Sequence, residues 1–315
     1  MSLFFVKSYD IPLFLIKLVL LCLLFYLMNF DPLLNVDFDN YADNYNNNWR
    51  QFEVGFEFLA DIYKYFGLSF SSFWTSVLVL EIALISLLYR NNIVFLFAFP
   101  NLVFLSQGLL GTQIRFGLAI CLFFVIFSFF YKKRYFWLIS IFPIFFHNAV
   151  IVVYFLANCV RYLLNSEKSI LLKRNTVWLI LFIGATIMLS MLVDYILNKS
   201  GYYYYVGTKY QDGRSLSSVI YMITSCCFLF YLSAKRVSGL YAEYLFLGFI
   251  MILFSLIFYQ SSVISGRYNL VYTLLEPFIL FYFYNRLGKK KFIFPLFLFY
   301  CFFCYFKVLA VDLKV

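Results

Sequence analysis

With 315 residues, of which 64% are hydrophobic, 24% aromatic and only 13% charged, the chain has the composition of a protein that lives in a bilayer and not of a soluble domain. Apolar runs of roughly 20 residues, enough to cross a hydrocarbon core of about 30 Å, recur along the whole length. The net charge of +10 would point to nucleic acid in a soluble protein, but the basic residues cluster in short stretches between apolar runs, as cytoplasmic loops do, and this argues against a nucleic-acid partner.

The first apolar run, 11 to 30, is of spanning length and lacks a small-residue cleavage pattern before Asp31 and Pro32. It is expected to remain as a first membrane helix, not to be a removable leader. An outer loop from 31 to 70 follows, holding Asp31, Asp37, Asp39, Asp43, Glu53, Glu57 and Asp61 together with an Asn- and Tyr-rich stretch that ends at Trp49 and Arg50. Further spans are expected near 71–89, 92–109 and 115–131.

The stretch from 135 to 164 decides the topology. If it crosses once, the loop with Arg161, Lys168, Lys173 and Arg174 falls outside, as do Lys235, Arg236 and the basic run 286–291, against the positive-inside rule. If it enters and returns as two short helices of about 12 to 15 residues hinged at His147 and Asn148, every basic cluster becomes cytoplasmic. Twelve helical residues rise about 18 Å, which sets His147 near the middle of the membrane at the tip of a broken hairpin. Irregular backbone at that depth is tolerated only inside protein or against water.

Beyond the hairpin, spans are expected near 176–196, 217–234, 240–259, 266–284 and 292–310, with a second outer loop at 197–216. The expectation is an all-α polytopic membrane protein, a single integral membrane domain over 1–315, with about ten or eleven membrane segments including the short hairpin around His147.

Polar side chains within this hydrocarbon mark a functional site by default. His147 is the one histidine of the chain, and imidazole titrates where a proton acceptor for a hydroxyl must; the alternative is a buried histidine bonded to a carbonyl at a helix break. Arg115 and Arg267 stand at or just inside the outer ends of spans, in GTQIRFGLA and SSVISGRYNLVY. Guanidinium there suits phosphate oxygens, which its planar fork binds in pairs; the alternative is snorkelling to lipid head groups. Glu53 and Asp43 are the fallback bases. Trp49, Arg50, Tyr203, Tyr210 and Arg214 offer aromatic faces beside polar groups, as a sugar ring requires, although tyrosines at 202–205 also fit an interfacial belt.

Four stretches carry a family resemblance: 39–45 with FEVGFEFL at 52–59, GTQIRFGLA at 111–119, FPIFFHNAVIV at 142–152, and SGRYNLVY at 265–272. In this order they resemble the EpsG type of Wzy polysaccharide polymerases, though Phe116 stands where many members have glutamine. The resemblance implies a multi-pass enzyme of the bacterial inner membrane that lengthens O-antigen, capsule or exopolysaccharide. Its substrate would be an undecaprenyl-diphosphate-linked oligosaccharide, and a polysaccharide chain-length regulator is the implied protein partner. The growing glycan would pass to the end sugar of a new lipid-linked unit as the acceptor hydroxyl attacks the anomeric carbon and the diphosphate leaves. Fixed cations in a low-dielectric cleft stabilise such a leaving group without a metal.

No metal or cofactor is expected, because one histidine cannot supply the usual imidazole set and the outer acids lack ligand spacing. Cys301 and Cys304 form a C-x-x-C inside an apolar run, where packing is the expected role. Two rivals remain. A lipid-linked oligosaccharide flippase would use the acids Glu81, Asp194, Glu243 and Glu276, and a membrane glycan O-acyltransferase would use a buried histidine.

Overall fold

The computed structural model describes residues 10–165, 216–233, 239–259 and 261–287. Every regular element among them is helical. The described residues form two compact units, divided between Phe155 and Leu156.

In the first unit, α1 (Asp10–Met28) is apolar on all sides and leaves most of its surface exposed, as a lipid-facing span does. Its one charged residue within the span, Lys17, is 5% exposed and donates to the carbonyls of Ser86 and Tyr89, each at 3.0 Å. Those carbonyls close α4 (Phe70–Leu88), so the ammonium satisfies acceptors that a helix end leaves without intrahelical partners and meets the negative pole of its dipole.

The segment expected as an outer loop is itself helical, in α2 (Phe38–Asn47) and α3 (Val54–Tyr65). Both pack on the start of α4 through rings: Phe38 and Tyr41 meet Trp74 at 4.9 and 5.7 Å, and Phe56 meets Phe73 at 5.4 Å. α2 stops at Asn48, whose left-handed φ of 55° is tolerated by a short polar side chain. Asn91 starts α5 (Asn92–Leu105) by accepting from the amides of Ile93 and Val94.

α5 runs into one π-turn over Ser106–Leu110, after which α6 (Ile114–Phe130) begins. Most of α6 is buried, which fits its apolar character on every side, and it packs against α4 and the π-turn.

The chain breaks at His147 and Asn148 as expected, but the entering arm is itself divided. It consists of α7 (Phe136–Ile139) and a 3-10 turn over Phe142–Phe145, with Pro143 fixing the first turn of the latter. α8 (Val150–Asn165) then leaves the break.

The described helices of the second unit after α8 are α9 (Leu216–Ser233), α10 (Leu240–Ile257) and α11 (Ser262–Leu287). Ser255 and Ser265 join α10 to α11 by donating to each other's carbonyls at 2.8 and 2.7 Å, which removes four polar atoms from contact with hydrocarbon. Glu276, 6% exposed, turns inward beside Pro277 and accepts from the Tyr221 hydroxyl at 3.3 Å. The spans expected at 176–196 and 292–310, with Asp194, Cys301 and Cys304, lie outside the described residues.

Candidate functional site: the Glu53–Arg115–His147 cluster

Two glycines let backbones approach closely enough to build the site. A Cβ on Gly55, in the first turn of α3, would lie 2.8 Å from the carbonyl oxygen of Phe145, so α3 rests directly on the 3-10 turn. Two residues before this contact is Glu53, and two residues after Phe145 is His147. Gly111 is pressed in the same way against the carbonyls of Ser106 and Met28, which would lie 2.5 and 2.8 Å from its Cβ, and its own carbonyl accepts from Asn35 Nδ2 at 2.9 Å. This anchors the turn that leads into α6 and to Arg115.

Glu53 holds the N-cap position of α3 in extended backbone, yet its carboxylate makes no bond to that helix. Oε2 accepts from Arg115 Nη1, and Oε1 accepts from the backbone amide of Asn148 at 3.2 Å. The side chains are 13% and 20% exposed for Glu53 and Arg115, so the pair is only partly screened by solvent. The guanidinium lies over the Phe52 ring, 3.9 Å from its centroid, and 5.6 Å from that of Tyr41, whose hydroxyl accepts from Nε at 3.4 Å. The Tyr41 phenol is held above its ordinary range by burial, with Arg115 pulling the other way.

His147 sits beside this pair, its ring edge-on to Phe116 at 5.2 Å. Nδ1 accepts from the Ala149 amide at 3.1 Å, while Glu53 Oε1 is 3.9 Å away. Both contacts fall on Nδ1, which faces the Ala149 amide and the Glu53 carboxylate together.

A second tier holds the loop in place. Glu57 Oε1 accepts from Asn44 Nδ2 at 2.9 Å and from the Phe52 amide at 3.0 Å, and Asn44 Oδ1 accepts from the Gln51 amide at 3.1 Å. These bonds fix the backbone of Phe52, and with it the ring under the guanidinium. Tyr41, Asn44, Phe52, Glu57 and Asn148 thus belong to the site, although sequence reasoning singled out none of them for it. The four-residue spacing of Glu53 and Glu57 on one helix face was the available signal.

The remaining expected residues are not in this cluster. Asp43 and Trp49 are exposed, and Arg50 pairs with Asp61 at 3.1 Å on the surface. Tyr203, Tyr210 and Arg214 lie outside the described residues. Arg267 belongs to the second unit, on α11, where its Nε is buried with no hydrogen-bond partner. An apolar hollow of about 420 Å³, lined in part by Leu59, Tyr63, Val79 and Leu80, shares no residue with the cluster. Among the described residues no three His, Cys, Asp or Glu side chains are grouped as metal ligands.

Compared with known families, residues 9–314 match the model of the EpsG family. No curated protein and no solved structure matches the chain.

Proposed function

The chain belongs to the EpsG family, a Wzy-type polymerase-like family of membrane proteins, and from this premise we propose that it polymerises undecaprenyl-diphosphate-linked oligosaccharide units on the outer face of the bacterial inner membrane. The observation that carries the reading is the partly buried Glu53–Arg115 pair beside His147. It brings together a carboxylate, a guanidinium and an imidazole, groups able to act as base, cation and proton donor in glycosyl transfer from a lipid diphosphate.

The proposed step runs by exchange of partners. A diphosphate oxygen takes the guanidinium of Arg115 from Glu53, because two charge-assisted bonds to a planar fork outcompete one carboxylate contact. Released from that contact, the Glu53 carboxylate accepts the proton of the acceptor hydroxyl as that oxygen bonds to the anomeric carbon. The bond to the diphosphate breaks with its electron pair on the leaving oxygen, whose charge Arg115 stabilises and to which His147 Nε2–H donates. Arg267 of the second unit, with its unpartnered Nε, is proposed to bind phosphate in its own right.

A deletion strain complemented with Glu53→Gln, Arg115→Ala or Arg267→Ala tests this. The expected product is single capped repeat units with no long chains, from protein that inserts at normal levels. Near-normal chain length in the Arg115 and Glu53 variants would remove the proposed centre. The flippase reading draws on the buried acids Glu81, Glu243 and Glu276, which are 0%, 3% and 6% exposed. It requires loss of translocation, not of polymerisation, when those acids are neutralised.

A further inference from the structure

Glu81, in the middle of α4, is fully buried, and neither carboxyl oxygen accepts a hydrogen bond from a donor among the described residues. No cation is paired with it among the described residues. An ionised carboxylate in that position, with no cation beside it, is strongly disfavoured. The backbone explains what the group is for. The Gln113 amide donates to the carbonyl of Gly108, five residues back, at 3.0 Å. In an α-helix that amide would have bonded to Leu109, so the π-turn releases the Leu109 carbonyl from this bond.

The released carbonyl and the acid converge on one spot. A Cβ on Gly117 would lie 2.5 Å from Glu81 Oε1 and 2.7 Å from Leu109 O, so both oxygens crowd the bare Cα of that glycine. Two acceptors that face one point in a dry interior repel unless a proton lies between them. The Cys121 thiol, one turn further along α6, is a titratable neighbour in electrostatic contact with the acid, and it adds no positive charge.

We propose that Glu81 is a neutral carboxylic acid whose proton is donated to the Leu109 carbonyl, tying the π-turn to α4. Glu81 is thereby a positioning residue for Arg115. The π-turn leads within four residues into α6, where Arg115 is the second residue, so a turn held in one geometry holds the guanidinium at Glu53. The part concerning Arg115 rests on the polymerase reading; the protonation state does not.

The test uses the full chain in lipid nanodiscs at neutral pH. The infrared spectrum of the wild type minus that of Glu81→Gln is expected to contain a protonated-carboxyl C=O band that shifts in deuterium oxide. Its absence would mean an ionised Glu81 and would overturn the proposal. In complemented cells, Glu81→Gln is expected to keep long-chain yield within about twofold of wild type, since the carboxamide still donates, whereas Glu81→Leu loses roughly tenfold, the scale of one buried hydrogen bond. A Gln variant as defective as the Leu variant would overturn the donor role. Should Glu81→Leu not insert, the spectrum and the Gln variant decide alone. A normal chain length in Arg115→Ala together with the expected band would sink the polymerase centre and leave the neutral acid standing.

Discussion

Glu53 stands at the cap of α3, but its carboxylate bonds to Arg115 of α6 and to the amide of Asn148, not to the amides of its own helix. Glu53 is thus not used as a cap, and its carboxylate joins the start of α3 to α6 and to the break at His147.

The pair should therefore be coupled. We expect Arg115→Ala to destabilise the protein by about 1–3 kcal/mol, because it leaves a partly buried carboxylate without its cation. Glu53→Gln should cost less, and the double variant should cost less than the two single changes added together. Thermal unfolding of the four proteins in one detergent measures this; strict additivity would contradict the pairing.

Glycine-to-alanine changes should divide sharply. Gly55→Ala sets a methyl group against the Phe145 backbone, with the carbonyl oxygen at 2.8 Å and carbonyl carbon at 3.0 Å, and neither can move like a flexible side chain. A loss of about 1–3 kcal/mol and of long-chain product is expected. Gly108→Ala meets nothing within 4 Å and should be neutral or stabilising by up to about 1 kcal/mol. Unfolding curves and product ladders for both variants check the contrast.

Lys17→Met should lower stability by about 1–3 kcal/mol, since the carbonyls of Ser86 and Tyr89 lose a charged donor at the end of α4. Once adjusted for the amount of protein in the membrane, chain length should stay near wild type, because Lys17 is remote in role from the Glu53 cluster. Loss of activity at full protein level would give Lys17 a part in the chemistry.

Tyr41 gives a pH signature. Its folded phenol is raised above the ordinary value by burial, so its contribution to stability is complete below about pH 10 and is lost as pH rises from there through the folded value. Tyr41→Phe should flatten this alkaline decline. Thermal unfolding across that range, wild type against variant, tests it; identical slopes would mean that Tyr41 does not titrate in this way.

Much of this was legible in order along the chain. The apolar runs at 11–30, 71–89, 92–109 and 115–131 correspond to α1, α4, α5 with its π-turn, and α6, because a bilayer demands continuous hydrocarbon over a set length and leaves that demand written in the sequence. The break at His147 was legible through the distribution of basic loops. Partnerships were not. Nothing local distinguishes Glu53 from Asp43, since both are acids of one polar segment; only the contact of Gly55 with the Phe145 backbone, 90 residues away in sequence, sets Glu53 against Asn148 and Arg115.

The sequence by itself determined that this is a helical membrane protein with a few polar groups confined in hydrocarbon, because burial free energy depends on composition and period alone. Tertiary structure decided which of those groups meet. It set the Glu53 carboxylate between Arg115 and the Asn148 amide and the His147 Nδ1 against the Ala149 amide, because the contacts open to a side chain depend on the amides that happen to face it. Those amides carry no side-chain signal, and only the folded backbone aims them.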